Sequence, residues 1–336
     1  MTSNESVQFD PVLRDFFITR NGFIFSVPDY FHPAAGIRSI LRYVPDPSGD
    51  RIFRKTNIRY RKAGFEESFE IVRQQHPEWV FDVIVVPGDE IKQILKPNDA
   101  VVDILSGKIQ NPAALFLIRR MEKFIPVSSM GISGSILAGL DNDNSDIDFL
   151  VYGTDWENAR TALNQMKKSK TNQTGEPPIT ELDDDMWRTV YEKRKSPLSF
   201  DDFFAHEIRK GNRGMIHMPD KNVYFDLLFA RSPEQIGKAP ERGTDTEKIE
   251  IEAVVTNADF AFDSPAVYEI NHPEISEIFS YTHTYAGQAL AGEKIRARGM
   301  VEVIGNKKRL VIGTKREIED EWMVSLSLLE KCGNGF

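Results

Sequence analysis

Two aspartates set one residue apart at the head of an apolar strand constrain this chain more than any other feature. They lie in GSILAGLDNDNSDIDFLVYG, Gly134 to Gly153, where IDFLVY has the β-branched and aromatic make-up of a buried strand. Successive strand side chains alternate faces, so Asp146 and Asp148 share one side of the sheet while Ile147 and Phe149 point to the other. Carboxylates on such a face need a cation, hydrogen-bond donors or water. A compensating group has to stand beside them.

Two carboxylates at this spacing can hold a hard divalent cation, and Mg²⁺ takes one or two carboxylates together with substrate phosphates. A third acid is available in VYFDLLFA, where Asp226 interrupts an apolar run on the face of Tyr224 and Leu228, opposite Val223, Phe225 and Leu227. Gly134-Ser135 opens the small-residue helix SILAGL. Its glycine allows close backbone approach, and such a turn presents N–H groups and a hydroxyl to a phosphate. These parts describe in-line attack on a nucleoside triphosphate with metal ions bridging phosphate oxygens. Three blander readings stand beside this one: an Asn/Asp-rich turn running into an edge strand with exposed acids, Asp226 paired with a structural arginine, and Ser135 as a helix cap.

Gly134-Ser135, ten intervening residues, then Asp146-Ile147-Asp148-Phe149 resembles the signature of the polymerase-beta nucleotidyltransferase superfamily, and Asp226 matches its third carboxylate. The resemblance implies a mixed sheet flanked by helices. It further implies two Mg²⁺ ions, with Mn²⁺ as an alternative, and transfer of a nucleotidyl group from an NTP such as ATP to a hydroxyl with release of pyrophosphate. By the same resemblance Asp146 and Asp148 bind both metals, Asp226 helps hold the metal that activates the acceptor, and Gly134 and Ser135 bind the triphosphate. The motif covers about Val127 to Ala230; more loosely, the whole chain resembles archaeal predicted nucleotidyltransferases of unknown acceptor.

Around that centre the chain reads as three segments. Residues 1–107 carry strand-like runs, Phe23 to Val27, Ser39 to Val44 and Asp82 to Pro87, between Pro-rich turns, and are expected to form an α+β domain. Residues 108–240 are the expected catalytic domain. It opens with a helix from Asn111 to Phe124, Asn111 as N-cap and Pro112 at the first helical position. A second helix is expected from Asp155 to Lys170, a loop from Thr171 to Asp185, and a β-hairpin around PDKN, Pro219 to Asn222. After a linker, Gly237 to Glu247, the alternating segments of residues 246–332 predict a small β-rich, barrel-like domain. The fold class is thus α+β throughout.

Charged stretches supply candidate contacts. RIFRKTNIRYRK, Arg51 to Lys62, holds six basic residues with Phe53 and Tyr60 interleaved, as either a solvated edge hairpin or a phosphate or nucleic-acid surface. Arg209, Lys210 and Arg213 in RKGNRG are candidate triphosphate cations, with Arg213 assigned to the nucleotide site, and a solvated turn as the alternative. SYTHTYAGQ, Ser280 to Gln288, could contact a base or sugar, or simply pack. His32, His76 and His272 each precede proline, which suggests turns rather than ligands.

Composition excludes several other classes. The net charge of −9 argues against broad nonspecific nucleic-acid affinity, leaving a restricted contact with an RNA or DNA end as the expected acceptor interaction. The single cysteine, Cys332, cannot close an intrachain disulfide or build a thiolate cage. No apolar run reaches the ~18 residues that span a bilayer, and the polar start MTSNESVQFD is unlike a secretory signal, so a cytoplasmic location is expected. The alternative to an enzyme is a noncatalytic nucleotide sensor or nucleic-acid-binding module that keeps the same fold.

Overall fold

The computed structural model describes residues 11–168, 178–314 and 320–333. The start MTSNESVQFD, the last two residues of the expected helix to Lys170, and residues 171–177 of the expected loop lie outside the described residues. The chain divides into two compact units, Met1–Thr180 with Arg213–Ala239, and Glu181–Asn212 with Pro240–Phe336. Segments 1–107 and 108–240 therefore group together, except that residues 181–212 belong to the second unit.

The first unit begins with β1 (Phe16–Thr19), β2 (Ile24–Ser26), β3 (Ile37–Pro45), β4 (Arg51–Ile52), β5 (Arg59–Lys62), α1 (Phe65–Gln75), β6 (Ile84–Val86) and β7 (Ile91–Leu95). They form a seven-stranded sheet in the order β4-β5-β3-β2-β1-β7, with β6 pairing β3 off this path. The three runs expected to be strands fall on β2, β3 and β6. Phe17 and Phe25 stack at 5.2 Å between centroids in a core with Leu41, Val72 and Trp79, each such side chain contributing ~1.5–3 kcal/mol on burial.

There follow α2 (Pro97–Leu105), α3 (Pro112–Met121), β8 (Met130–Ile132), α4 (Gly134–Ala138), β9 (Ile147–Tyr152), α5 (Trp156–Lys168) and β10 (Ile179–Thr180). The chain then forms α6 (Asp184–Arg194) and α7 (Phe200–Lys210) of the second unit before β11 (Arg213–His217) and β12 (Asn222–Ala230). Asn111 caps α3 as expected, its side chain accepting from the Ala114 N–H at 3.0 Å. The amphipathic spacing of α3 buries Ala113, Ala114, Leu117, Ile118 and Met121. The expected loop to Asp185 contains β10 and the start of α6, which Asp183 caps by accepting from Met186 N–H at 2.8 Å. The hairpin around PDKN is present as β11 and β12. It joins a five-stranded sheet in the order β10-β11-β12-β9-β8. That sheet is mixed, because β12 and β9 run parallel while the other pairs are antiparallel.

In the second unit β13 (Thr244–Asn257), β14 (Ala266–Asn271), β15 (Glu277–Ser280), β16 (Lys294–Ile304) and β17 (Lys307–Ile312) precede β18 (Trp322–Ser325) and α8 (Leu326–Lys331). The strand order β13-β14-β15-β17-β16, closed by pairing of β16 back onto β13, makes a five-stranded barrel with β15 and β17 parallel. The long β13 permits closure: its first part pairs β16 and its end pairs β14. Inward residues such as Ile251, Tyr268, Ile278, Ala297 and Leu310 fill the barrel. The architecture is mixed α+β, with the C-terminal barrel the sequence pattern implies. Among the described residues no helix is long and apolar enough to cross a membrane.

Candidate functional site

The site is built where β8 hands the chain to β9. The Ser133 N–H donates to Asp148 O at 2.9 Å, which carries the β8–β9 pairing up to the turn. Gly134 then takes φ +65°, a conformation that opens α4 and that an L side chain adopts only with strain. The neighbour supplies a second reason for glycine: a Cβ here would lie 2.1 Å from Asp148 Oδ2. The turn backbone and the carboxylate are therefore packed directly together. Ser135 Oγ is buried without a hydrogen-bond partner among the described residues. It is not the helix cap that one reading of the sequence allows, since the N-cap position of α4 is Ser133.

The aspartates are placed by the strands. Asp148 is the second residue of β9, half-buried, while Asp146 is exposed and lies just before the strand rather than inside it. The preceding loop is held by local turns, in which the Ser145 N–H donates to Asn142 O and the Asn142 N–H donates to Ser145 Oγ. Asp226 occupies the residue of β12 directly opposite Asp148 in the parallel ladder. Adjacent strands are about 4.8 Å apart, so two carboxylates on one face at one register are close neighbours. Burial, then the charges of Asp146 and Asp226, push the Asp148 carboxyl up to about 6, against the lowering influence of Arg14 and Arg42. No described residue gives the Asp148 carboxylate a hydrogen bond.

Asp226 is partly compensated. Its Oδ1 accepts from Arg213 Nε at 2.9 Å and from Tyr224 Oη at 2.8 Å, and no described residue donates to Oδ2. Arg213, assigned to the nucleotide site from the sequence with a solvated turn as the alternative, opens β11, is buried rather than in a solvated turn, and faces Asp226 across the hairpin. Arg209 and Lys210 likewise have partners within the second unit. Arg209 binds the Glu293 carboxylate, and Lys210 donates to Glu207 Oε1 at 2.6 Å and Thr284 O at 2.7 Å. Each of the three RKGNRG cations thus has a carboxylate partner.

Besides Arg213, cations reach the acidic site from the first sheet. Arg51 Nη1 donates to Leu140 O at 2.8 Å and lies 3.4 Å from Ser145 Oγ, next to Asp146. Arg54 bridges Ile136 O and the Asp141 carboxylate. From the other side Ser133 Oγ donates to Arg14 O at 2.8 Å. The sequence marks Arg51 to Lys62 as a patch without indicating that it abuts the Gly-Ser turn; Arg14 and Arg42 carry no signal of their own.

Among the described residues no three His, Cys, Asp or Glu side chains stand in a metal-holding arrangement. The residues nevertheless fit a hard divalent cation in their chemistry. Three carboxylates lie on neighbouring positions, and burial together with the Asp146 and Asp226 charges raises the Asp148 carboxyl, a cost that a bound cation would relieve. The remaining expected contacts resolve as packing: in SYTHTYAGQ, Tyr285, Thr284 and Gln288 are buried. His32 and His272 serve turns, and His76 stacks on Trp79 at 3.7 Å.

A chain from Methanocaldococcus jannaschii, "Uncharacterized protein MJ1086", is 34% identical over 343 residues, covering 93% of this chain and 98% of that one. No protein-family model matches, and no solved structure matches.

Proposed function

This chain belongs to the family of the Methanocaldococcus jannaschii protein MJ1086, whose name assigns no activity, and from its site we propose that it is a Mg²⁺-dependent nucleotidyltransferase of the polymerase-beta type. The observation that carries the reading is the packing of the Gly134 backbone against Asp148, with Asp226 directly opposite in the next strand. That arrangement sets a phosphate-binding turn against paired carboxylates, the two halves that phosphoryl transfer needs at one place. Ser135 Oγ, buried without a partner, is a donor awaiting an acceptor.

In this reading Asp146 and Asp148 hold the metal ions and Asp226 completes the acceptor side through its Oδ2, while Arg213 and Tyr224 fix its other oxygen. Bound there, Mg²⁺ neutralises phosphate charge and lowers the pKa of the attacking hydroxyl. Ser135 and the turn backbone orient the β- and γ-phosphates so that the acceptor oxygen lies in line with the leaving pyrophosphate. The new bond joins acceptor oxygen to the α-phosphorus; the α–β bridging bond breaks, pyrophosphate leaves, and the hydroxyl proton passes to solvent. An RNA or DNA end is the proposed acceptor class, and ATP the first donor to test.

The test is Mg²⁺-dependent transfer of label from each α-labelled NTP into pooled RNA, DNA, protein and metabolite acceptors, with pyrophosphate detection and Asp146→Asn as the blank. Labelled product absent from the blank is expected. The Arg213–Asp226 pair favours one competing reading, a noncatalytic nucleotide sensor in which Asp226 is structural. ATP binding without pyrophosphate release in any pool would replace the enzyme with that sensor.

A further inference from the structure

Each RKGNRG cation already has a carboxylate partner, so further counter-charge for a triphosphate at Gly134-Ser135 has to come from other residues. β3, β4 and β5 bring three cations around Tyr43. Lys62 lies directly opposite Tyr43 in the β3–β5 ladder. The Arg51 guanidinium lies over the Tyr43 ring at 5.7 Å from its centroid, and also reaches Leu140 O at the end of the Gly-Ser turn region. Arg42 sits at a register slip: Ile24 faces Tyr43 while the next residue, Phe25, faces Leu41, so Arg42 is the extra residue of a β-bulge. Bulges re-aim a side chain away from the regular strand alternation.

What distinguishes Arg42 and Lys62 from their neighbours is how little holds them, whereas Arg51 is fixed by Leu140 O and lies 3.9 Å from the Asp50 carboxylate. Arg61 pairs with Asp46 and Glu67, Arg54 with Asp141, and Arg59 donates to Gly49 O. Arg42 and Lys62 make no ion pair with any described residue, and the Nε atoms of Arg42 and Arg51 are buried without hydrogen-bond partners. Partial burial of its ammonium, and then repulsion from Arg42 and Arg51, lower the Lys62 pKa although the residue as a whole is exposed, while Asp146 and Asp148 act in the other direction. Like charges held together beside an acidic cluster form an anion site at the edge of a cation site, the pattern a metal–polyphosphate complex requires.

We propose that Arg42, Arg51 and Lys62 of the first sheet form the clamp for the triphosphate tail of the nucleotide bound at Gly134-Ser135, with Arg51 also fixing the loop that leads into Asp146. The inference rests on the reading of that site as a nucleotide site. It gives the N-terminal sheet a direct part in substrate binding: phosphate charge is met by one sheet and metal charge by the other, within the same unit.

Binding separates this inference from the transfer reaction. Affinities of the full chain for Mg²⁺-ATP, inorganic triphosphate and AMP are measured by calorimetry for wild type, Arg42→Gln, Lys62→Gln, Lys62→Arg and the barrel control Arg296→Gln. Wild type is expected to bind ATP and inorganic triphosphate, and AMP far more weakly. Arg42→Gln and Lys62→Gln are each expected to lose about tenfold in affinity for ATP and inorganic triphosphate. Lys62→Arg should retain most of the affinity, and Arg296→Gln should match wild type. Lys62 is exposed, so its variant remains informative if Arg42→Gln folds poorly. Unchanged triphosphate affinity in Lys62→Gln, or no triphosphate binding by wild type, overturns the clamp. Affinity that falls as expected in a protein that transfers nothing keeps the clamp and refutes the enzyme; transfer with an unchanged KM for NTP in both Gln variants does the reverse.

Discussion

Asp148 and Asp226 stand directly opposite each other across the parallel seam between β9 and β12, yet among the described residues only Asp226 has side-chain donors. The two carboxylates share a face and a register and differ in how their charge is met. Neutralising one therefore has the opposite effect from neutralising the other.

Asp148→Asn removes a charge that is crowded by Asp146 and Asp226 and receives no hydrogen bond from the described residues. In metal-free buffer the variant is expected to melt about 2–4 °C higher than wild type, the shift that roughly 1 kcal/mol gives a domain of this size. Mg²⁺ should raise the wild-type midpoint and leave that of the variant nearly unchanged, and nucleotidyl transfer should fall by at least ~10²-fold. A lower metal-free midpoint would mean that Arg14 and Arg42 already compensate the charge.

Arg213→Met removes the guanidinium from a buried pair in which its side chain is 7% and that of Asp226 19% exposed. Stranding the carboxylate costs ~3–5 kcal/mol in such settings. Urea unfolding should show that loss, and the double variant with Asp226→Asn should recover part of it. Arg213→Lys is not expected to substitute, because the ammonium cannot reproduce the guanidinium geometry at the Nε contact. Normal stability in Arg213→Met with weakened ATP binding would restore the phosphate role that the sequence suggested for this residue.

Gly134→Ala tests the turn itself. The φ of +65° disfavours any L side chain by ~1–2 kcal/mol, and the new Cβ would lie 2.1 Å from Asp148 Oδ2, backbone against carboxylate. The variant is expected to lose both stability and Mg²⁺-dependent nucleotide binding, because Asp148 has to move. Loss of stability with unchanged nucleotide affinity would show that the turn and the carboxylate do not act on one ligand.

The residues of the site that were legible in the sequence are those whose chemistry conflicts with their local pattern. Asp226 breaks an apolar strand, and Gly134 opens a short helix after which the acid-apolar-acid spacing follows; neither needs tertiary information to be noticed. The strands of the first sheet, the Asn111 cap and the β11–β12 hairpin were legible because local capping and alternation determine them. The cations were not. Arg213 and Lys210 lie three residues apart in a Gly-containing segment that looks solvated, and each has an acidic partner, one across a hairpin and one a helical turn away. Arg42 owes its placement to a register slip that depends on the partner strand. The excursion of α6 and α7 into the second unit also escaped local patterning, because the apolar faces of Trp187 and Phe203 indicate burial without naming the core that receives them.

His206 ties α7 to the end of β18 and makes the second unit sensitive to acid. The Ser325 N–H can only donate, so His206 Nε2 accepts it at 2.9 Å; Nδ1 therefore carries the proton and donates to Asp202 O at 2.6 Å. Burial chiefly, with the nearby Lys210 and Arg209 charges, lowers the His206 pKa to about 3, opposed by the Asp202 bond and by Glu293. An unfolded histidine titrates near ~6.5. Between these values the unfolded chain binds a proton that the folded chain refuses, so the stabilisation is complete above ~6.5 and is lost as pH falls toward 3. Urea unfolding of the full chain, followed by a probe in the second unit, should lose up to ~1.4 kcal/mol per pH unit below 6 from this group alone. His206→Gln, whose amide can still accept from Ser325, should be less stable at pH 7 but show a shallower slope. An identical slope in the variant would assign the acid sensitivity to the carboxylates, of which Glu293 and Glu321 are held below their ordinary range by their hydrogen-bond partners despite burial.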